Sequence, residues 1–461
     1  MAKAVKEKTV GTAKRIDVHY LTRVEGHGNI IAEVDDAGKV TACRWEIPEA
    51  PRFFEAMMLG RGYADVHHIA SRICGICSIG HQLASLQATE EALGVVVSEQ
   101  TLALRKLALH GENIQSHLLH VGYLVLPDLL GADSVIPLAS THRQELLHLV
   151  KARAMSNEFC RIVSGRTTHP QRLMVGGMTR LPTEEDLVRL RRILVEAMPE
   201  MMAVADVFAA VKGNFPDFTR KTEYIGLTSP SEYGLYWGEV ASSMAPRRPA
   251  ALYQDVAKEY CVPTSTAKWS RGVDGPYMVG ALARFNINHA QLGPAGRDVA
   301  EKLGLKAPCH NPYYISLAQI VEVVHSIEDS IKLTDQLLSR GLRPEAPAPV
   351  RVVPGRGVAA VEVPRGLLFH AYEYDENGRM VHADCVIPTN QNHANIQKDL
   401  EALTPLIARE DKASIELKLS MLVRAYDPCI SCSAHNLDLS PEERSLVRFV
   451  PAGSIPGKDG K

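Results

Sequence analysis

Two Cys-x-x-Cys pairs lie near opposite ends of this chain and constrain its fold more than any other feature. The first pair is Cys74 and Cys77, and the second pair is Cys429 and Cys432. Four thiolates presented in this way are typical ligands of a soft metal ion. Because the pairs are far apart in the sequence, a shared site forms only when the whole chain is folded. The spacing therefore predicts a long-range metal site and not a local zinc ribbon.

The composition excludes several classes of function. The 461 residues include 51 Lys and Arg against 53 Asp and Glu, which gives a net charge of −2. Neither nucleic acid nor an anionic membrane is therefore an expected partner. No stretch has the length and apolar character of a membrane span, so direct membrane insertion is not expected. The nine cysteines, together with the lack of a secretory signal in the first residues, predict reduced thiols and a cytoplasmic location.

The hydrophobic periodicity predicts a mainly α protein with small β regions (α+β), in which long helices form a bundle core and β-hairpins lie at its periphery. Two alternating stretches, roughly 20–47 and 367–387, are interpreted as hairpins, and the second contains the Asn-Gly turn signal at Asn377. Helices are expected at roughly 65–93, 100–130, 142–164, 183–212, 315–340, 393–409 and 413–423. We expect one large unit, because no linker or repeat divides the chain.

Each cysteine pair lies within a longer motif. The first motif reads Arg-Ile-Cys-Gly-Ile-Cys from Arg72 and is followed by His81. The second reads Asp-Pro-Cys-Ile-Ser-Cys-Ser-Ala-His from Asp427 to His435. Both resemble the signature motifs of the large subunit of nickel-iron hydrogenases. Further blocks match in the family's order, so the resemblance covers essentially the whole chain and implies the family's fold. These blocks are 23–27, 52–55, 60–61, 117–128, 175–177, 364–366 and 386–389.

The resemblance implies a nickel-iron centre as the cofactor. Nickel would be held by all four paired cysteines, and the second cysteine of each pair would bridge to an iron that carries CO and CN ligands. Thr389, which follows Pro388, would donate a hydrogen bond to a cyanide. The five cysteines without paired spacing are expected to be core residues. They are Cys43, Cys160, Cys261, Cys309 and Cys385.

Heterolytic cleavage of H2 needs a base near the metal, either a thiolate or a nearby arginine, and a path along which the proton leaves. The resemblance implies that the thiolate of Cys429 takes the proton and that the carboxylate of Glu25 relays it towards solvent. The guanidinium of Arg365 would lie above the open coordination position of the metal centre. Asp128 would orient this arginine. His81 would donate a hydrogen bond to the bridging Cys77.

Without the resemblance, two of these acids have simpler interpretations. Glu25 would be a surface glutamate of the first hairpin, paired with a neighbour such as Arg23. Asp128 would be an acid that ends a helix beside Pro127.

The resemblance also implies a magnesium site and a maturation step. Glu55, His435 and the main-chain carbonyl of Cys385 would bind magnesium near the C-terminal end. In the family, nickel-insertion factors load the metal, and a dedicated endopeptidase then cuts after the histidine that matches His435. Residues 1–435 would therefore be the mature single domain, and 436–461 an extension that is removed.

Partners are implied because the unpaired cysteines are too few for an iron-sulfur relay, in which each cubane cluster takes four thiolates. An iron-sulfur small subunit would receive the electrons, and further subunits would pass them to an acceptor. This arrangement resembles the cytosolic bidirectional group, which is linked to NAD(P), deazaflavin or heterodisulfide reductase. Two other classes stay open: a complex I-like subunit with a quinone pocket, whose family lacks the paired cysteines, and a structural protein with a four-cysteine zinc site.

Overall fold

The computed structural model describes residues 14–35 and 39–434, and this part of the chain is a mainly α protein with small sheets, as predicted. Its α-helices are α1 (Phe54–Met58), α2 (Tyr63–Ala70), α3 (Ser78–Ala92), α4 (Glu99–Leu119), α5 (Leu126–Leu129), α6 (Val135–Thr141), α7 (Arg143–Ser164), α8 (Glu184–Val211), α9 (Ala281–Asn288), α10 (Pro294–Leu303), α11 (Ile315–Arg340), α12 (Pro388–Ile407), α13 (Lys412–Ala425) and α14 (Ile430–Ser433). Within these described ranges, no helix is both long and apolar enough to cross a membrane.

The strands form small separate sheets. They are β1 (Lys14–Val18), β2 (Asn29–Val34), β3 (Val40–Glu46), β4 (Leu173–Met174), β5 (Gly177–Met178), β6 (Glu223–Thr228), β7 (Glu239–Ser242), β8 (Lys258–Tyr260), β9 (Trp269–Arg271), β10 (Tyr277–Met278), β11 (Gly355–Val363), β12 (Gly366–Tyr374) and β13 (Met380–Val386). Three sheets have three strands, in the orders β1-β2-β3, β10-β6-β7 and β11-β12-β13, and two sheets pair β4 with β5 and β8 with β9.

The four longest helices form the predicted bundle. Helix α4 packs against α7 and α11, and α8 packs against the same two helices. Each contributes leucine or isoleucine side chains that are almost completely buried, among them Leu104, Leu149, Leu190 and Ile320. Burial of each such side chain contributes about 1.5–3 kcal/mol, so these apolar faces account for the association of the helices.

Two predicted helices are interrupted in the structure. The segment predicted at 65–93 forms α2 and α3, and the turn between them carries the first cysteine pair. The segment predicted at 100–130 consists of three parts. Helix α4 is followed by a π-helical turn, His120–Val125, and then by α5. Hydrophobic periodicity averages over such short interruptions, so it predicts the length of the segment and not the break.

Both predicted hairpins are present, and each has a third strand that the alternation pattern did not indicate. Strands β2 and β3 form the first hairpin, which β1 extends, whereas β12 and β13 form the second, which β11 extends. Strands β11 and β12 are joined by the two-residue turn Pro364–Arg365, because Val363 pairs directly with Gly366. This tight turn holds Arg365 at the edge of the helical core.

Helix α3 lies directly against β11, and glycines make this close approach possible. A Cβ added to Gly357 would lie 2.1 Å from the carbonyl oxygen of Ala88, and one added to Gly80 would lie 2.3 Å from a methyl carbon of Val363. Because α3 begins immediately after the first cysteine pair, this contact sets the distance between that pair and the Arg365 turn.

We expect Gly357→Ala to destabilise the protein, because the added methyl group would push α3 away from β11. Overpacking of this kind costs about 1–3 kcal/mol. Gly213→Ala is the matched control, since a Cβ at that position meets nothing within 4 Å. Thermal unfolding of both variants measures the effect, and equal melting temperatures would contradict it.

Candidate metal centre

The two cysteine pairs meet in the buried core, as their spacing predicts. The sulfurs of Cys74, Cys429 and Cys432 all lie within 4.8 Å of one another, and each of these residues is at most 3% exposed. The Cys74 and Cys429 sulfurs are 3.5 Å apart. Those of Cys429 and Cys432 are in direct contact as a disulfide, and they stand in for the two thiolates that a metal would bind.

The fourth cysteine, Cys77, lies beside Cys74 at the N-terminus of α3. Its main-chain N–H donates to the Cys74 sulfur at 3.1 Å. A hydrogen bond between the two thiols lowers the pKa of Cys74 to about 7, although burial opposes this shift and the charge of Arg365 adds to it. The same hydrogen bond, together with burial, raises the pKa of Cys77. The first pair therefore supplies a thiolate ligand near neutral pH.

The second pair reaches the site through the sharp turn after α13. Asp427 adopts the left-handed conformation with φ of 50°, and Pro428 follows it. The N–H of Cys429 then donates to the hydroxyl oxygen of Thr389 at 3.0 Å. Thr389 is buried in the first turn of α12, where Pro388 is the first residue. Pro388 and Thr389 thus lie beside the second pair.

Glu25 is held against the second pair by its main chain and its side chain. Its carbonyl oxygen accepts a hydrogen bond from the N–H of Ile430 at 2.9 Å, so that Glu25 pairs with Cys429 as in a short parallel sheet. Its carboxylate accepts from the N–H of Ser431 at 3.1 Å and from the Ser431 hydroxyl. Glu25 is thus half-buried and fixed to the segment that carries the second pair.

Arg52 joins the segments of both cysteine pairs. Its Nη2 donates to the carbonyl oxygen of Ile73 at 2.5 Å, and its Nε donates to that of Ser431 at 2.9 Å. Its main-chain N–H also donates to the carbonyl oxygen of Ala434 at 3.0 Å. The planar guanidinium suits this double contact, since it offers several donors in fixed directions. The only sequence signal for this residue was its position in a motif block of the resemblance.

Arg365 directs its guanidinium towards the cysteines. Its Nη1 lies 3.1 Å from the Cys77 sulfur and 3.4 Å from the hydroxyl of Ser116. Asp427 holds the other side, because its carboxylate accepts from Nη2 at 2.8 Å and its carbonyl accepts from Nε at 2.6 Å. Burial alone would lower the pKa of Arg365, but the combined charges of Asp427, Cys77 and Cys74 raise it. Arg365 therefore places a permanent positive charge beside the thiolates.

The prediction that Asp128 orients Arg365 is wrong. The Asp128 carboxylate accepts from Arg23 at 2.5 Å and from Arg424 at 2.8 and 3.1 Å. Both arginines that Asp128 contacts thus differ from Arg365, so the resemblance assigned this acid to the wrong guanidinium. Asp427 takes the predicted role, and no motif spacing indicated it because its contact depends on a left-handed turn.

His81 lies one helical turn after Cys77, and its main-chain N–H donates to the Cys77 carbonyl at 3.0 Å. Its ring Nδ1 lies 3.3 Å from Nε2 of His370. The Nδ1 of His370 in turn lies 2.6 Å from the hydroxyl of Tyr372. The ring thus belongs to a buried polar chain, and the hydrogen bond from His81 to the Cys77 sulfur stays a prediction.

Two of the residues predicted to bind magnesium are neighbours in the structure, but the contact is made by the N–H of Cys385 and not by the carbonyl that was predicted as a ligand. The N–H of Cys385 donates to the carboxylate of Glu55 at 2.9 Å. Glu55 lines a cavity of about 430 Å³ together with Asp384 and the Glu259–Lys268 ion pair. Carboxylate oxygens suit a hard cation such as magnesium. His435 and the tail 436–461 lie outside the described residues.

The donor set fits a nickel-iron centre. Soft sulfur ligands are gathered in a buried volume, and the cation of Arg365 balances their negative charge. The fold and the site together define a metalloenzyme in which the two ends of a long helical chain close one thiolate site.

Comparison with known proteins agrees with this class. A family model described as nickel-dependent hydrogenase matches residues 52–141 and 290–435, and a second, described as HoxL-like, matches 15–50. Sulfhydrogenase 1 subunit alpha of Pyrococcus furiosus is 33% identical over 427 residues, which cover 91% of this chain and 97% of that protein. Sulfhydrogenase 2 subunit alpha of the same organism is also 33% identical over 427 residues, with 92% and 100% covered.

A solved structure shows the same fold. An NAD+-reducing nickel-iron hydrogenase in the H2-reduced state superposes with a TM-score of 0.82 at 26% identity, covering 92% of this chain and 99% of the other. The chain belongs to the nickel-dependent hydrogenase family, as a large, catalytic subunit. It is an oxidoreductase that acts on H2, and its cofactor contains nickel and iron. Membership of this family favours the hydrogenase interpretation over the zinc protein and the complex I-like subunit.

We expect Arg52→Lys to lower the nickel content per chain, because one ammonium group cannot donate to both carbonyls that Arg52 joins. Arg61→Lys is the matched control, since Arg61 is exposed and its Nε makes only a 3.4 Å contact with the Met57 carbonyl. Elemental analysis of both purified variants measures the effect. Equal nickel content in both would mean that the two cysteine segments stay together without Arg52.

Proposed function

We propose that Cys74, Cys77, Cys429 and Cys432 bind the nickel-iron centre and that H2 is cleaved there reversibly to protons and electrons. The observation that supports this proposal most strongly is the approach of three sulfurs from both ends of the chain to within 4.8 Å. When bound, the centre supplies the redox chemistry and polarises H2. The iron carries CO and CN ligands in this proposal.

The side chains around the cysteines prepare the site for this reaction. Arg365 provides a fixed positive charge, and burial of all four cysteines excludes bulk water, which strengthens that charge. The hydroxyl oxygen of Thr389 already accepts a hydrogen bond from the N–H of Cys429. Its O–H therefore remains available to donate to a cyanide nitrogen.

The proton leaves through Cys429 and Glu25 in this proposal. The Cys429 sulfur accepts the proton, and the carboxylate of Glu25 passes it towards solvent. Glu25 suits this role because main-chain pairing fixes it beside Cys429, while Ser431 orients its carboxylate. A carboxylate that is half-buried can exchange protons with both the site and the surface.

The electrons leave to an iron-sulfur small subunit, from which further subunits carry them to an acceptor. Among residues 14–35 and 39–434, the only group of three metal-type ligand atoms within 4.8 Å of one another consists of Cys74, Cys429 and Cys432. The described chain thus provides no second cluster site for an electron relay. The matched relatives are named as alpha subunits, which supports a multi-subunit assembly.

The remaining parts of the proposal concern assembly. Glu55, His435 and the Cys385 carbonyl bind magnesium, and Glu259 and Lys268 lie beside Glu55. Nickel-insertion factors load the centre, and an endopeptidase then removes 436–461, which leaves 1–435 as a single mature domain. The assembled enzyme works in the cytoplasm and belongs to the bidirectional group.

We expect the anaerobically purified complex to show infrared bands in the CO and CN stretching region and about one nickel per large subunit. Cys432→Ser should remove both signals, because serine is a poor ligand for a soft metal. Cys309→Ser, at a half-buried cysteine outside the site, is the matched control and should retain them. A wild-type complex that contains zinc and no such bands would overturn the proposed function.

We expect Glu25→Gln to reduce kcat for H2 oxidation by roughly 10²–10⁴-fold, the usual contribution of a positioned proton-transfer group. Glutamine has the same shape but cannot carry the proton, so nickel and iron content should be unchanged. Glu49→Gln is the matched control, since Glu49 accepts hydrogen bonds from His27 in the same region. If both variants keep wild-type kcat, the proton leaves by another route.

A further inference from the structure

A second buried arginine, Arg284 in α9, contacts the turn that carries Arg365. Its Nε and Nη2 donate to the two carboxylate oxygens of Glu322 at 2.7 and 2.6 Å, and its Nη1 donates to Glu362 at 2.8 Å. The two remaining N–H groups donate to the carbonyl oxygens of Val363 and Pro364, each at 3.0 Å. All five donors of the guanidinium are therefore used, and two of them hold the main chain of the turn.

The start of α9 also lies against the same turn. Gly280 precedes the helix with φ of 109°, and a Cβ at this position would lie 2.9 Å from the carbonyl oxygen of Arg365. A Cβ on Gly366 would in turn lie 2.8 Å from the N–H nitrogen of Gly280. The helix that carries Arg284 thus touches the turn on both sides of Arg365.

The carboxylates that hold Arg284 are themselves fixed to other elements. Glu322, in α11, also accepts from His117 at 2.9 Å and from the hydroxyl of Tyr233 at 2.8 Å. Glu362, in β11, accepts from the N–H of Leu227 at 2.8 Å. Because these partners belong to different parts of the core, the position of Arg284 is determined by several elements at once.

We propose that Arg284 is a positioning residue for H2 cleavage, because it fixes the carbonyls of Val363 and Pro364 and thereby sets where the Arg365 guanidinium meets the cysteines. Arg284 touches neither the cysteines nor the substrate. It acts through the two-residue turn, where a small main-chain rotation would move the end of the long Arg365 side chain away from the Cys77 sulfur. The kinetic consequence rests on the proposed function of Arg365.

Lysine cannot replace Arg284 in this role. Its ammonium group would keep one positive charge between Glu322 and Glu362, as in the wild type, but three donors on one nitrogen cannot reach two carboxylates and two carbonyls in fixed directions. Arg284→Lys therefore keeps the buried charge and removes the contacts that orient the turn. Arg105→Lys is the matched control, because Arg105 is also fully buried and also binds a glutamate and a main-chain carbonyl, but far from the turn in sequence.

Hydrogen–deuterium exchange of the assembled complex tests the structural step. We expect Arg284→Lys to accelerate amide exchange across 363–367 by about 10-fold or more, because the turn opens locally once its carbonyls are released. Arg105→Lys should leave exchange in this segment unchanged. If Arg284→Lys has unfolded, Glu362→Gln is the second variant, since it weakens the same contact and keeps the arginine. Exchange across 363–367 that equals wild type in the folded variant would overturn the proposal.

Kinetic measurements test whether the turn affects H2 cleavage through Arg365. We expect Arg284→Lys to lower kcat by about 10- to 100-fold with little change in KM or metal content, because misplacement of a group by about 1 Å costs this much. The double variant Arg284→Lys and Arg365→Lys should be no slower than Arg365→Lys alone. Both changes remove the same contribution to kcat, which is that of the correctly placed Arg365 guanidinium. Multiplied losses would contradict the proposal. If Arg365→Lys itself keeps wild-type kcat, the proposed function of Arg365 fails, while the exchange experiment still decides the role of Arg284.

Discussion

Hydrogen bonds between two remote segments of the chain make the metal site possible. Arg52 donates to a carbonyl just before the first cysteine pair and to another inside the second pair. Glu25 adds main-chain pairing with the second pair from a third segment. Each bond is modest by itself, but the carbonyls would be buried and unsatisfied without these donors, which is costly. The four sulfurs can therefore remain close together before any metal compensates their mutual repulsion.

Two buried arginines lie around this site, and both are held by carboxylates. Arg365 is held by Asp427, and Arg284 is held by Glu322 and Glu362. Buried ion pairs contribute little net stability, because removing both charges from water costs about as much as their attraction returns. These ion pairs instead fix the orientation of each guanidinium group, since a planar guanidinium with fixed partners has one orientation. The buried ion pairs around the cysteines thus determine the positions of the side chains there.

The sequence predicted the long helices, the two hairpins and the meeting of the two cysteine pairs, because each depends on a regular pattern or a fixed spacing. The meeting of Cys74 with Cys429 followed from the chemistry of paired thiolates, and the adjacency of Glu55 and Cys385 followed from the resemblance. The failures lie in features that no spacing in the sequence fixes. The π-helical turn at His120–Val125 interrupts the helix predicted over 100–130. The resemblance assigned Asp128 to Arg365, but Asp128 pairs with Arg23 and Arg424, and the left-handed Asp427 holds Arg365. Arg284 gave no signal, because its acceptors come from α11, β11 and a two-residue turn that have no fixed sequence relation to it.

The separation of the cysteine pairs also has a consequence for biosynthesis. A ribosome adds roughly 5–20 residues per second, so tens of seconds pass between the emergence of Cys77 and that of Cys429. During this interval the helical bundle can form, but the pocket beside Cys74 and Cys77 still lacks the second cysteine pair. The segment around α14, which emerges well after the bundle, is thus the one that closes the pocket. The complete set of four cysteines therefore exists only after most of the folded body has been synthesised.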